Sequence, residues 1–395
     1  MTLSNGTTTA TTSTLNVELA EQLIRRMTDG LVNIVDEKGE FLLHLEDGSI
    51  IDTKGWKGWE WTHGVALTGL YHHAAVAPSK EASAYSIKTL KNWYNARYEE
   101  TKGKGALKNI NTMAVMYALA CMVEDGSFET EEEKKKWSAW LDEWAEWVMH
   151  GLNRTPEGGF QHVVYNNINH FQLWDDTLMM TVIPLTKIGL LLNRPEYIDE
   201  AKYQFLMHIN YLMDTTTGLW FHGWQFDGKG GGHNYAKALW ARGNCWITYA
   251  IPLFLSLTQL PPTDPIYRTL VSTLQRQVDA LVKLQDPTTG LWHTILNDPT
   301  SYVETSAAAG FSAGIFMALR LGYLSGEHYL TVANTALQGV IAQIRPDGEV
   351  ENVSFGTAMG SDLDFYRNIA ITPMPYGQAL AMLALVEWER HQRSL

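Results

Sequence analysis

Two kinds of helix alternate along this chain, and the alternation constrains its fold more than any other feature. One kind is amphipathic: across 131–152, Trp137, Trp140, Leu141, Trp144, Trp147 and Val148 recur at helical spacing, with Glu and Lys on the other face. Segments 81–98, 195–213 and 263–284 share the pattern. The other kind, at 112–123, 178–192, 238–257, 307–321 and 378–388, is apolar nearly all round. A helix without a polar face has to be covered on every side. With 17–36, 59–76 and 325–342 the count reaches twelve, ordered outer then inner. A double ring of six helical hairpins, the all-α (α/α)6 barrel, satisfies that order and predicts one domain over 17–395. Residues 1–16, rich in Thr and Ser and without an apolar run, predict a disordered tail.

Composition narrows the function. A formal charge of −13 argues against nucleic acid or an anionic membrane surface as partner, so any anionic ligand needs a local basic site. No stretch is long and apolar enough to span a bilayer. The two cysteines, Cys121 and Cys245, lie in apolar segments without a CxxC partner, which predicts buried free thiols and a cytoplasmic protein. The thirteen histidines are scattered, with no HExxH and no cysteine cluster, so neither metal nor cofactor is predicted. Fifteen Trp and seventeen Tyr suit a saccharide cleft, although most such residues in a helical barrel fill the wedges between helices.

In a closed ring the outer-to-inner connections share one rim, and they are mostly the long ones, rich in Gly, aromatics and His. One of their motifs, Thr-Thr-Gly-Leu-Trp, occurs at 216–220 and again at 288–292, 72 residues apart. Candidate residues cluster where inner helices begin. The first opens with Trp56-Lys-Gly-Trp59-Glu-Trp61-Thr-His63, a sugar platform or core filling. The second opens with Asn109-Ile-Asn111-Thr112, where the amides either cap the helix or bind vicinal hydroxyls. The third opens with Trp174-Asp175-Asp176-Thr-Leu-Met-Met. One Asp suits an N-cap, and the other, beside a second carboxylate, suits general acid/base work. The fourth opens with Trp240-Ala-Arg242-Gly-Asn-Cys-Trp246, preceded by His222, and its guanidinium suits either a bound carboxylate or an internal ion pair.

With Gly158-Gly-Phe-Gln-His162, these motifs resemble those of glycoside hydrolase family 105, the unsaturated rhamnogalacturonyl hydrolases, and more distantly the unsaturated glucuronyl hydrolases. The resemblance spans roughly residues 20–390. It implies an (α/α)6 barrel and metal-independent removal of a 4,5-unsaturated uronic acid from a lyase-generated oligosaccharide. In that chemistry an Asp matching Asp176 protonates the C4=C5 bond, and water adds at C5. Trp240, Arg242 and Trp246 match residues that bind the uronate, and His162, His222 and Trp61 match other site positions. His63, Asn111 and Trp174 join them as expected substrate contacts. The family carries a second acid near the position of Asn109; this chain has Asn there, and Asp175 is the other carboxylate at hand. Two rival readings remain: an epimerase or isomerase on a related barrel, in which His222 and His233 would converge as acid and base, and a non-catalytic sugar-binding barrel.

Overall fold

The structure, a computed structural model, describes residues 15–46 and 48–395. The predicted tail lies outside the described residues up to residue 14. Asn16 belongs to the barrel, because its Oδ1 accepts the Leu19 N–H at 2.9 Å and caps the first helix.

The described residues form twelve long helices and one short one. The outer helices are α1 (Val17–Asn33), α3 (Lys80–Glu100), α5 (Glu131–His150), α7 (Pro195–Leu212), α9 (Pro265–Leu284) and α11 (Glu327–Ile341). The inner helices are α2 (Trp61–Val76), α4 (Met116–Glu124), α6 (Ile183–Leu191), α8 (Ala241–Thr258), α10 (Thr305–Arg320) and α13 (Pro375–Ser394). The inner helices pack in chain order, and α13 closes the circle against α2. Each outer helix leans on the inner helix before it, and α1 leans on α13. This is the (α/α)6 barrel. Local sequence supports it: α5 begins with a capping box between Thr130 and Glu133, and three glutamates in its first turn complement the helix dipole.

Two inner helices start differently from the regular turn that periodicity predicts. A 3-10 turn (Thr112–Val115) precedes α4, and a wide π turn (Leu178–Val182) precedes α6. Both lie on the rim that carries the long connections, the π turn directly after the two aspartates. The short helix α12 (Leu363–Arg367) inside the long last connection has no signal in the apolar pattern.

The rim is organised by short strands. Gln172–Trp174 pairs antiparallel with Gly223–Phe226, which pairs with Gly232–His233, so the third and fourth connections are zipped together. The repeated Thr-Thr-Gly-Leu-Trp motif makes the same turn twice. Asp214 and Asp286 each bond the threonines that follow, and their N–H groups bond Leu219 O and Leu291 O, both at 2.8 Å. Gly218 and Gly290 sit at φ +84° and +74°, where a Cβ would also strike Arg276 O or Thr335 O of the neighbouring outer helix.

Candidate active site

A cleft of about 210 Å³ opens on this rim. Pockets for drug-sized ligands run from about 300 Å³ upward, so this one suits a single sugar ring. Its walls include Trp61, Asn111, Tyr165, Trp174 and the segment from Phe355 to Ala358. A larger hollow of about 520 Å³ between residues 30–41 and 345–349 is lined by surface acids and bases and contains none of the predicted site residues.

Trp174 ends its strand at the cleft wall, and behind it the two aspartates turn into the barrel. The His162 ring stacks on Trp174 with centroids 4.1 Å apart and planes 9° apart, and the His222 ring meets the same indole at 5.2 Å. His222 arrives through the strand pairing, because the Asp175 N–H bonds His222 O at 3.0 Å. One atom each from Asp175, Asp176 and His222 falls within 4.8 Å of the others. His222 Nε2 stands 3.4 Å from Asp176 Oδ2, an ion-pair distance longer than a good hydrogen bond.

The two carboxyl groups have different environments. Asp175 is fully buried, and its carboxyl lies against the first turn of α8, where any side chain at Gly243 would place a Cβ 2.2 Å from Oδ2. Burial, then the charge of Asp176, push the Asp175 carboxyl well above the usual range, so it holds a proton. The Asp176 side chain keeps 16% of its exposure. Burial pulls Asp176 upward too, but His222 first and then His162 outweigh it and hold Asp176 below the ordinary value. The two carboxyls are thus pushed apart, Asp175 toward the acid and Asp176 toward the carboxylate, and Asp176 is the member open to solvent.

His222 is oriented from a distant part of the chain. Gly360 N–H donates to the Tyr366 hydroxyl at 3.1 Å, and that hydroxyl lies 2.8 Å from His222 Nδ1. The hydroxyl's other neighbour is the Met359 sulfur at 3.7 Å. With Nδ1 held by the hydroxyl, the ring's other nitrogen, Nε2, faces Asp176. His162 is held by Thr177, with Nδ1 2.9 Å from Oγ1, and burial lowers it to about 3.

Several expected contacts have other roles. Arg242 is 1% exposed, and its guanidinium is spent inside the protein. Nη1 donates to Ser354 O (2.9 Å) and Oγ (2.5 Å), Nη2 donates to Phe355 O and Thr357 Oγ1 (both 2.9 Å), and Glu304 lies 3.6 Å away. It braces the cleft wall from behind and does not face the opening, which corrects the expected clamp on a bound carboxylate. Trp240 and Trp246 are buried behind the wall: Trp240 packs on His222 at 4.3 Å and Trp246 meets Trp61 edge-on at 5.8 Å, so neither offers a free face to a sugar. His63 is wholly buried; its Nδ1 accepts the Glu60 N–H and its Nε2 bonds Gly55 O at 2.8 Å, which makes it part of the α2 cap. Asn109 caps the 3-10 turn, since its Oδ1 accepts the N–H groups of Asn111 (2.9 Å) and Thr112 (3.0 Å), which sets its side chain in the turn, outside the cleft lining, and not in the expected place of a second catalytic group. His233 lies exposed on its strand, away from buried His222. Trp61, Asn111 and Trp174 do line the cleft, and Asp175, Asp176, His162 and His222 gather beside it.

Three contributors escaped the sequence. Glu60 lines the cleft, and its one signal was a glutamate at an N-cap, where Ser, Thr, Asp or Asn is usual. Tyr366 lies 144 residues from its partner His222, and no spacing pattern links such positions. The wall segment Phe355 to Ala358 is irregular.

Comparison with known proteins agrees with this architecture. The chain is 31% identical over 333 residues to the unsaturated rhamnogalacturonyl hydrolase YesR of Bacillus subtilis, covering 83% of this chain and 89% of that one. It superposes with a TM-score of 0.89 and 50% identity on a crystal structure from Salmonella enterica described as a possible member of the GH105 family, covering 96% of each chain. The unsaturated glucuronyl hydrolase of Bacillus sp. GL1 shares the fold, with a TM-score of 0.68 at 19% identity over 95% of this chain and 97% of that one. The profile of Glycosyl Hydrolase Family 88 matches residues 33–392, which takes in five inner helices whole, nearly all of the sixth and every residue of the cleft, and the chain belongs to that family.

Proposed function

We propose that this enzyme removes a 4,5-unsaturated uronic acid, galacturonyl or glucuronyl, from the non-reducing end of short oligosaccharides left by polysaccharide lyases, including pectin fragments. The observation that carries the reading is the adjacent Asp175–Asp176 pair, one carboxyl fully buried and the other partly open, gathered with His222 beside an aromatic cleft sized for one sugar ring. Trp61 and Trp174 supply apolar faces to the ring, and Asn111 supplies hydrogen bonds. Asp176, recharged from Asp175, delivers a proton to C4 of the alkene, and positive charge develops at C5 and the ring oxygen. Asp176, again a carboxylate, accepts a proton from the water that adds at C5. The resulting hemiketal opens the ring, and the exposed hemiacetal at C1 releases the partner sugar. His222 Nε2 steadies the Asp176 carboxylate between the two proton transfers. The alkene is hydrated and the anomeric carbon is not displaced, so the rule linking carboxylate separation to stereochemistry does not govern this reaction. Residues 17–395 act as one catalytic unit, and both cysteines are free and buried, which suits the cytoplasm.

The test is ultraviolet absorbance of the alkene in unsaturated pectic and glycosaminoglycan disaccharides. Absorbance is lost with the wild type, and D176N slows the loss by about 10²–10⁴-fold while still binding substrate. Undiminished absorbance across the whole panel would reject the activity. The exposed position of His233 disfavours an epimerase built on paired histidines.

A further inference from the structure

Glu60 has no part in the reaction just described, yet it reaches the cleft. Among the described residues lining that cleft it is the one Asp, Glu, Lys, Arg or His. Its side chain is folded inward at the start of α2 and is 3% exposed. Oε2 accepts the Trp61 N–H at 2.9 Å, and Oε1 has only a long contact, 3.5 Å, with the Asn111 amide. No cation pairs with it among the described residues. The guanidinium nearest the cleft wall, Arg242, is committed to Ser354, Phe355 and Thr357.

The groups around Glu60 do not compensate its charge either. Asn111 comes from the connection before α4, and the hydroxyl of Tyr165, from the connection after α5, is turned to Trp59 O at 3.1 Å. His63, on its own helix, is lowered to about 4 by burial and is neutral; Asp52 and Arg97 act on that ring from behind. Burial raises Glu60 itself to about 7, against the lowering effect of its bonds from Trp61 and Asn111.

A uronate is an anion, and a carboxylate at position 60 would face it across a narrow, poorly hydrated gap with no cation between them. We propose that Glu60 is a specificity residue that binds the sugar as a neutral carboxylic acid, donating a hydrogen bond from Oε1 to a ring hydroxyl, and that its ionisation expels the anionic sugar. Glu60 and Asn111 together then read the hydroxyl edge of the ring while Trp61 and Trp174 hold its faces. This inference rests on the reading of the cleft as a uronate site.

The experiment measures calorimetric binding of an unsaturated uronyl disaccharide to the D176N enzyme from pH 5.5 to 8.5. One proton linked to binding weakens affinity about tenfold per pH unit above the ionisation of Glu60. D176N/E60Q keeps a neutral amide there and is expected to bind with no such slope. The methyl ester of the same disaccharide, having no charge to repel, is expected to show a flat profile with D176N alone. A slope that persists in D176N/E60Q, or an equal slope for acid and ester, overturns the assignment. If E60Q does not fold, Asn111→Ala in the D176N enzyme decides: losing the amide moves the break in the profile to higher pH, and an unmoved break overturns the proposal. Absence of binding at every pH would instead reject the uronate site itself, so the two failures are distinguishable.

Discussion

Replacing Arg242 by methionine separates a brace from a clamp. The guanidinium makes four hydrogen bonds to Ser354, Phe355 and Thr357 and sits 3.6 Å from Glu304, which is itself 1% exposed. Methionine fills much of the volume but leaves Glu304 as a buried charge without its cation. Breaking a buried pair in this way costs about 3–5 kcal/mol. At about 2.1 cal/mol/K of unfolding entropy per residue, that lowers the Tm of a chain this long by about 4–6 °C. Glu304 keeps its bonds from Ser306 (2.7 Å), Ala307 N–H (2.6 Å) and Ser354 N–H (2.9 Å), so the site weakens without collapsing. The wall from Phe355 to Thr357 loses its anchor, so KM rises. R242M/E304Q removes the stranded charge and is expected to recover roughly half of the lost stability, measured by calorimetry beside KM from the alkene assay. An R242M enzyme that melts within about 1 °C of the wild type and still loses substrate affinity would refute the brace, because the guanidinium would then be serving the ligand and not the loop.

Two further outcomes follow from the aspartate pair and its support. Asp175 has its folded value raised above its unfolded one, so its contribution to stability is full below the ordinary carboxylate range and is lost as pH rises. Asp175→Asn is therefore expected to raise Tm relative to the wild type at pH 7–8 but not at pH 3–4, while turnover falls because the proton store is gone; a stability difference independent of pH would contradict the buried, protonated assignment. Tyr366→Phe removes the hydroxyl that orients the His222 ring, and a lost hydrogen bond of about 0.5–1.5 kcal/mol corresponds to a two- to tenfold fall in kcat with KM unchanged. A change confined to KM would place Tyr366 in substrate binding and not in orienting His222.

The barrel was legible because burial on all sides leaves an unmistakable pattern: an inner helix such as α10, with Ala, Gly and Phe on every face, has no other place to go. The aspartates and Trp174 were legible because they sit together at a helix start. The resemblance implies a ligand site for the tryptophans and Arg242 around α8, and the sequence leaves an internal ion pair open for Arg242; in the structure they form a buried wall. Sequence spacing reveals which residues are near a rim but not whether a side chain turns toward solvent or toward a neighbouring loop. Arg242 turned inward because Ser354 and Thr357, 112 and 115 residues away, offer it acceptors. Contacts of that range, including Tyr366 with His222, are products of ring closure and leave no local signature.

Closure also joins the two ends of the fold at the cleft. Trp61, in the first turn of the first inner helix, stacks on Tyr376, in the first turn of the last, with centroids 4.4 Å apart. The indole that faces the cleft is therefore propped by a residue synthesised more than three hundred positions later. During synthesis this wall of the cleft stays unfinished until the final stave docks beside the first, so a chain halted short of α13 would have its aspartates but not the propped indole beside them.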